Sequence, residues 1–266
     1  MLLPLILSFI FGSLIGSFLN VVILRLPKEQ KLTGRSHCPV CRHQLSGLEL
    51  VPLLSFLALK GKCRACSVPI SARYFIIELV TGLLFAASWW LVDPSAALEF
   101  VLLARNFFVI AVLIVVFVVD LEYYIILDSV TFFALGVVTA FNIALDLSGH
   151  MDIFSLSSHF AGGLIGAAAA VVPLACLWYF SKGSWMGFGD VKLSLLLGNI
   201  LGWKLFGVNF MLAVFLGTIV SVFLLLLTKK TLKSQIPFGT FLALGTVITL
   251  YYGNTLLAWY LSSLGL

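Results

Sequence analysis

Residues 107–120 read FFVIAVLIVVFVVD, an unbroken apolar run that ends on a carboxylate. The run forms most of a span from about Leu102 to Val119, near the length of about 20 apolar residues that crosses a bilayer. Asp120 therefore falls at membrane depth, where an ionisable group is costly and marks function by default. The rest of the chain has the same character. Of its 266 residues, 61% are hydrophobic and 10% charged, with a mean hydropathy of +1.14. Soluble domains carry about 25% charged residues, so this chain cannot cover a water-facing surface and its solvent is largely lipid.

The hydrophobic pattern predicts an all-α polytopic membrane protein of about eight transmembrane helices. They run over about 3–24, 74–91, 102–119, 125–145, 160–180, 191–203, 208–227 and 238–260. The first run passes through Gly16, Asn20 and Val22 without a small-residue cleavage site and is read as a retained span. Small residues crowd the fifth helix (Gly162, Gly163, Gly166 and Ala167 to Ala170), which suits close packing in lipid. No internal repeat is visible. The expected division is 1–24 for the first helix, 25–73 for a polar insert and 74–266 for helices two to eight.

Charge tests the helix count. Arg25, Lys28, Lys31, Arg35, Arg42, Lys60, Lys62, Arg64 and Arg73 lie in or beside the first loop. Lys182 and Lys192 flank the fifth, and Lys229, Lys230 and Lys233 lie in the seventh. Only Arg105 and Lys204 fall elsewhere. Basic residues stay in the cytoplasm, which predicts both termini outside and the odd loops inside. A net charge of +5 set out in this way is an orientation signal, not a nucleic-acid surface.

The insert carries Cys38-Pro-Val-Cys41 and Cys63-Arg-Ala-Cys66. Two CxxC turns can converge four thiolates on one tetrahedral ion. An insert this small builds little core, so a metal would supply much of its folding energy, and cytoplasmic disulfides rarely persist. The reading is a structural zinc site with all four positions filled. His37 and His43 are read as surface residues, and Cys176 as a small buried apolar group.

Eleven acidic residues are few enough to judge singly. Asp93, Glu99, Asp146 and Asp152 are assigned to solvated outer connections, and Glu29 and Glu49 to the insert. Asp120 and Asp190 stand apart. Asp190 closes Gly187-Phe-Gly-Asp190 before an apolar helix, and the parity of the loops puts it on the same side as Asp120 at similar depth. Two close carboxylates do not both ionise easily. One can act as general base toward water while the other donates to a carbonyl. Gly187 and Gly189 allow close backbone approach. An N-terminal capping role is the structural alternative for Asp190, and an interfacial anchor is that for Lys192.

These motifs, taken in order, resemble the type IV prepilin peptidase family. The resemblance runs from Gly16-Ser-Phe-Leu-Asn-Val-Val-Ile-Leu-Arg-Leu-Pro27 through GRSHCPVC, Val51-Pro-Leu-Leu-Ser55, Lys62-Cys-Arg-Ala-Cys66, Ile70-Ser-Ala-Arg-Tyr74 and Glu78-Leu-Val-Thr-Gly82. It continues through Asp120 to Asp128, Gly187-Phe-Gly-Asp-Val-Lys-Leu193 and Ile236-Pro-Phe-Gly-Thr-Phe-Leu-Ala-Leu-Gly245. The resemblance implies a GxGD-type aspartyl peptidase of the bacterial inner membrane with Asp120 and Asp190 catalytic. Asp128, Gly187, Gly189 and Lys192 would be secondary site residues. It implies type IV prepilins and pseudopilins as substrates, in pilus assembly or type II secretion, cleaved at the cytoplasmic face. It also implies N-methylation with S-adenosylmethionine by the insert together with 74–92, where Arg73, Glu78 and Gly82 are candidate contacts. Leu127 stands where the family motif usually has proline, Phe75 likewise, and Gly47 where an aromatic is common. The competing classes are a transporter with a zinc-stabilised insert, suggested by the short glycine-containing sixth helix, and a membrane scaffold.

Overall fold

A computed structural model describes residues 2–227 and 236–265, so Lys229, Lys230 and Lys233 of the charge pattern lie outside the described residues. The described residues form helices α1 (Leu2–Arg25), α2 (Leu54–Ala58), α3 (Ala72–Val92), α4 (Ala97–Tyr123), α5 (Asp128–Ser148), α6 (His159–Ser181), α7 (Phe188–Leu227) and α8 (Phe238–Ser263). All but α2 are long and apolar enough to cross a membrane. The chain divides into two compact units, 1–95 with 106–115, and 96–105 with 116–266, so α4 contributes to both.

In the first unit α1 packs on α3 at backbone distance. A Cβ on Gly12 would stand 2.8 Å from Thr81 O, one on Gly16 2.8 Å from Glu78 Cα, and one on Gly82 2.9 Å from Phe9 O. Small residues let helices meet this closely in lipid, where packing rather than water exclusion holds them. Phe85 stacks on Phe107 with ring centroids 4.2 Å apart. Asn20 of α1 donates to Gly16 O and across to Tyr74 O at 3.2 Å, tying α1 to the start of α3. Between these helices lie two short 3-10 turns, α2 and the cysteine knuckles.

In the second unit α6 lies against the first limb of α7. Trp178 meets Phe188 at one end, while Gly166 and Gly198 meet backbone to backbone toward the other. A straight helix of 40 residues would be about 60 Å long, twice the roughly 30 Å hydrocarbon core. Gly202 breaks it at φ 72°, ψ 170°, a conformation that side-chain-bearing residues rarely adopt. The chain then turns back. Leu205 faces Gly253, Asn209 faces Gly245, and Gly217 faces Phe241, so 203–227 descends along α8 toward its first turn. The reversal gives eight apolar limbs, as read from the sequence. It falls at Gly202 rather than in the 203–208 connection expected there.

The buried Arg105 of α4 donates to Ile200 O beside this break. That carbonyl would have been served by an N–H four residues on, had the helix continued. Arg105 thus departs from the loop-charge pattern because it is a helix cap, and Lys204 lies over the Trp203 ring just past the break.

Two sequence expectations are corrected. Asp146 is not a solvated loop residue. It sits in the last turn of α5, fully buried, and accepts from His159 N at 2.7 Å, His159 Nδ1 at 2.9 Å and Phe160 N at 2.9 Å. It serves the free N–H groups at the start of α6, where a negative charge is also favoured by the helix dipole. Cys176 is exposed on the outer face of α6 rather than buried, which in lipid suits a small apolar group equally well.

Candidate active site and metal centre

Asp120 lies one turn before the end of α4 and is 5% exposed; α4 runs on to Tyr123 rather than stopping at the carboxylate. Its Oδ2 accepts from Thr240 N at 2.7 Å and Thr240 Oγ1 at 3.2 Å. Thr240 can reach it because its neighbour is glycine: a Cβ on Gly239 would stand 2.9 Å from the same oxygen. Asp190 is in the first turn of α7 and 8% exposed. Its N–H bonds to Gly187 O at 3.2 Å, so it is a residue of the turn and not its cap. Asp120 and Asp190 come from opposite sides of one residue, Ile126, which packs against Gly239 beside the Asp120 carboxyl and against Gly189 next to Asp190.

Ile126, in the connection from α4 to α5, packs where a Gly189 side chain would be, at 3.2 Å, and also where one on Gly239 would be, at 3.0 Å. One apolar side chain thus spaces the two glycine-bearing helix starts around the carboxylates. A Cβ on Gly187 would stand 3.7 Å from Asp190 Oδ2, while Gly189 meets Ile126. Lys192 turns away from both acids. Its Nζ donates to both Asp128 oxygens, at 2.7 and 2.8 Å, and covers the Phe188 ring. Asp128 opens α5, so the helix start also favours its charge. Leu127, before it, adopts φ −78° and ψ 116°, within the range proline would impose. Gly239 and Thr240 stand in the Ile236-to-Gly245 motif and Ile126 in the Asp120-to-Asp128 stretch, but the sequence assigns none of them a role, and neither motif gives a hint of its partner.

The four cysteines of the first unit converge, with all sulfurs within 4.8 Å of one another. Cys38 and Cys66 are 3.8 Å apart, Cys41 and Cys63 3.9 Å. A disulfide needs about 2.05 Å, whereas a tetrahedron with metal–sulfur bonds of about 2.3 Å has edges of about 3.8 Å. The four can hold a metal ion. The two knuckles repeat one hydrogen-bond pattern. Cys38 N donates to His43 O and Arg42 N to Cys38 O; Cys63 N donates to Val68 O and Ser67 N to Cys63 O. Arg42 and Ser67 are both at φ 58°. Backbone N–H groups of Cys41 and Val40 pull the Cys38 thiol down, while burial and the neighbouring sulfurs push that of Cys41 up, as expected where several thiols crowd together.

Beside the knuckles is a cleft of about 660 Å³ whose walls include Asn20, Cys38, Glu49, Cys63, Arg73 and Glu78. Glu78 Oε2 accepts from Leu53 N at 2.8 Å, holding Leu53 at φ 62°. Gly82 does not line this cleft; it belongs to the α1–α3 contact. His43 lies at the surface, as expected, and reaches Glu49 at 3.4 Å. The backbone N–H and hydroxyl of Ser46, with His43 beside them, hold Glu49 down to about 2.

A bundle of apolar helices enclosing a carboxylate pair, joined to a four-cysteine insert, defines a polytopic membrane protein of the GxGD carboxylate class. Family comparison is more specific. Residues 10–92 match the bacterial peptidase A24 N-terminal domain, and residues 107–222 match the type IV leader peptidase family. The chain is 33% identical to a prepilin leader peptidase/N-methyltransferase of Aeromonas salmonicida, over 97% of this chain and 94% of the relative. It is 34% identical to the protein of that description in Bacillus subtilis, over 95% and 96%. No solved structure matches it. The chain belongs to the type IV leader peptidase family and is an enzyme of the peptidase class.

Proposed function

We propose that this enzyme removes the leader from type IV prepilins and pseudopilins at the cytoplasmic face of the inner membrane, and N-methylates the new N-terminus. The observation that supports the peptidase reading is that α4 and α7 bring two buried acids, Asp120 and Asp190, to either side of Ile126. The ionised member of the pair takes a proton from water, and the hydroxide oxygen attacks the scissile carbonyl carbon. The protonated member gives its proton to the carbonyl oxygen. The tetrahedral intermediate then collapses: the C–N bond breaks, the leaving amine takes the proton that the first carboxylate removed from water, and a hydroxyl of the intermediate returns a proton to the second. Thr240 holds one Asp120 oxygen, which leaves Oδ1 for water. Gly187 and Gly189 give a substrate backbone room, and the Asp128–Lys192 pair orders the rim.

Zinc suits the four sulfurs by distance and by donor type. It would be held by Cys38, Cys41, Cys63 and Cys66, with no open position, so its contribution is to fold the insert. S-adenosylmethionine suits the adjacent cleft, and bound there it would supply an electrophilic methyl group. Arg73 and Glu78 are the sequence candidates that line that cleft. We assign the insert and 74–92 to methyl transfer, 74–266 to the peptidase core, and both termini to the outside. The transporter alternative loses its main support, because the α7 break lies about 18 Å along the helix from Asp190.

Purified Asp120→Asn and Asp190→Asn should each lose leader cleavage by roughly a thousandfold while remaining folded and inserted. Near-normal processing of a prepilin by either variant would sink the assignment.

A further inference from the structure

The wall of the cleft in the first unit, which also carries Arg25, Lys28, Arg64 and Arg73, holds two buried oxygens that no donor reaches. Asn20 is 2% exposed, and its Nδ2 donates to Gly16 O and Tyr74 O. Those two carbonyls fix the amide's orientation, so the atom left over is Oδ1, which has no hydrogen-bond partner. The Glu49 side chain is 5% exposed. Its Oε2 is saturated by Ser46 N at 2.8 Å, Ser46 Oγ at 2.7 Å and His43, while the buried Oε1 has no partner. Glu78, 8% exposed, uses Oε2 for Leu53 N, and a carboxylate has capacity for several more donors. All three side chains line the same cleft, as do Lys28 and Arg64.

Buried acceptors without donors are rare in folded proteins. Two of them beside a carboxylate call for a compact group that brings several N–H donors and positive charge. We propose that Asn20, Glu49 and Glu78 bind a primary ammonium group, with Lys28 and Arg64 available to a carboxylate on the same ligand. That is the recognition pattern for the α-amino-acid end of a molecule. The cleft's volume lies within the range of small-molecule sites.

The inference rests on the methyl-donor reading, since the amino-acid end of S-adenosylmethionine carries both groups. A polypeptide N-terminus offers the ammonium alone. Neither Asn20 nor Glu49 was a candidate in the sequence, because an orphaned oxygen is a property of the packed fold.

The test is calorimetric titration of the full, metal-loaded chain in nanodiscs with S-adenosylhomocysteine, its deaminated analogue, and a short amidated peptide with a free N-terminus. S-adenosylhomocysteine should bind the wild type. Glu78→Gln, which retains an acceptor for Leu53 N, and Glu49→Gln should each weaken it about tenfold, as for loss of a charge-assisted bond, at unchanged melting temperature. The deaminated analogue should bind weakly and respond to neither change. Equal affinity for the analogue, or for both variants, would overturn the ammonium site while the methyl-donor reading stands. If the wild type ignores S-adenosylhomocysteine but binds the peptide in a Glu78-dependent way, the ammonium site stands and the methyl-donor reading falls. Binding of neither ligand ends both.

Discussion

The Asp120 carboxylate accepts two hydrogen bonds from Thr240, a residue 120 positions away. The hydroxyl bond is the part a substitution can remove. Thr240→Val should lower kcat for leader cleavage by roughly tenfold, the scale of one charge-assisted bond. KM should hardly change, because the loss is in orienting a catalytic group, and Thr240→Ser should restore the rate. A rise in KM at constant kcat would point to substrate binding instead. The two aspartates were legible in the sequence because acids at membrane depth are scarce and costly. Thr240 and Ile126 were not. Both lie inside motifs of the resemblance, but a threonine in an apolar helix and one more aliphatic residue show no role until the fold sets them against a carboxylate.

At the scale of elements, the cysteine insert was read correctly because CxxC spacing constrains sulfur geometry locally. The break in α7 was read as a pair of helices, but its position was misplaced. Glycines stood at both 198 and 202, and only the packing tells them apart. Gly198 gives way to the α6 backbone, whereas Gly202 takes the positive φ. Asp146 was misread for a related reason: sequence distance suggested a loop charge, while α6 brings its unserved N–H groups to the carboxylate. The insert carries its own prediction. X-ray absorption should find about one zinc per chain bound by four sulfurs at about 2.3 Å, and Cys38→Ser with Cys63→Ser should abolish it. Undiminished zinc in that variant would refute the ligand set.

For the whole molecule, composition alone excluded a soluble fold, and the alternation of basic loops gave the expected sidedness. A cysteine introduced at Met151 should react with an impermeant maleimide in intact cells. One introduced at Lys60 should react only after permeabilisation. The reverse pattern would invert the orientation and move the carboxylate pair to the outer face. The division of α4 between two units was not legible, because a single apolar helix gives no sign of where its neighbours change.

The matched knuckles also bear on oxidative damage. Two sulfur pairs from opposite knuckles lie near contact, Cys38 with Cys66 at 3.8 Å and Cys41 with Cys63 at 3.9 Å, and one of each pair is exposed. An oxidant that strips the metal and takes two electrons from each pair of thiols can therefore stitch the halves together. Peptide mapping without reductant should recover crosslinks 38–66 and 41–63, leaving the loop clamped shut in a form that a thiol reductant and fresh metal can rescue.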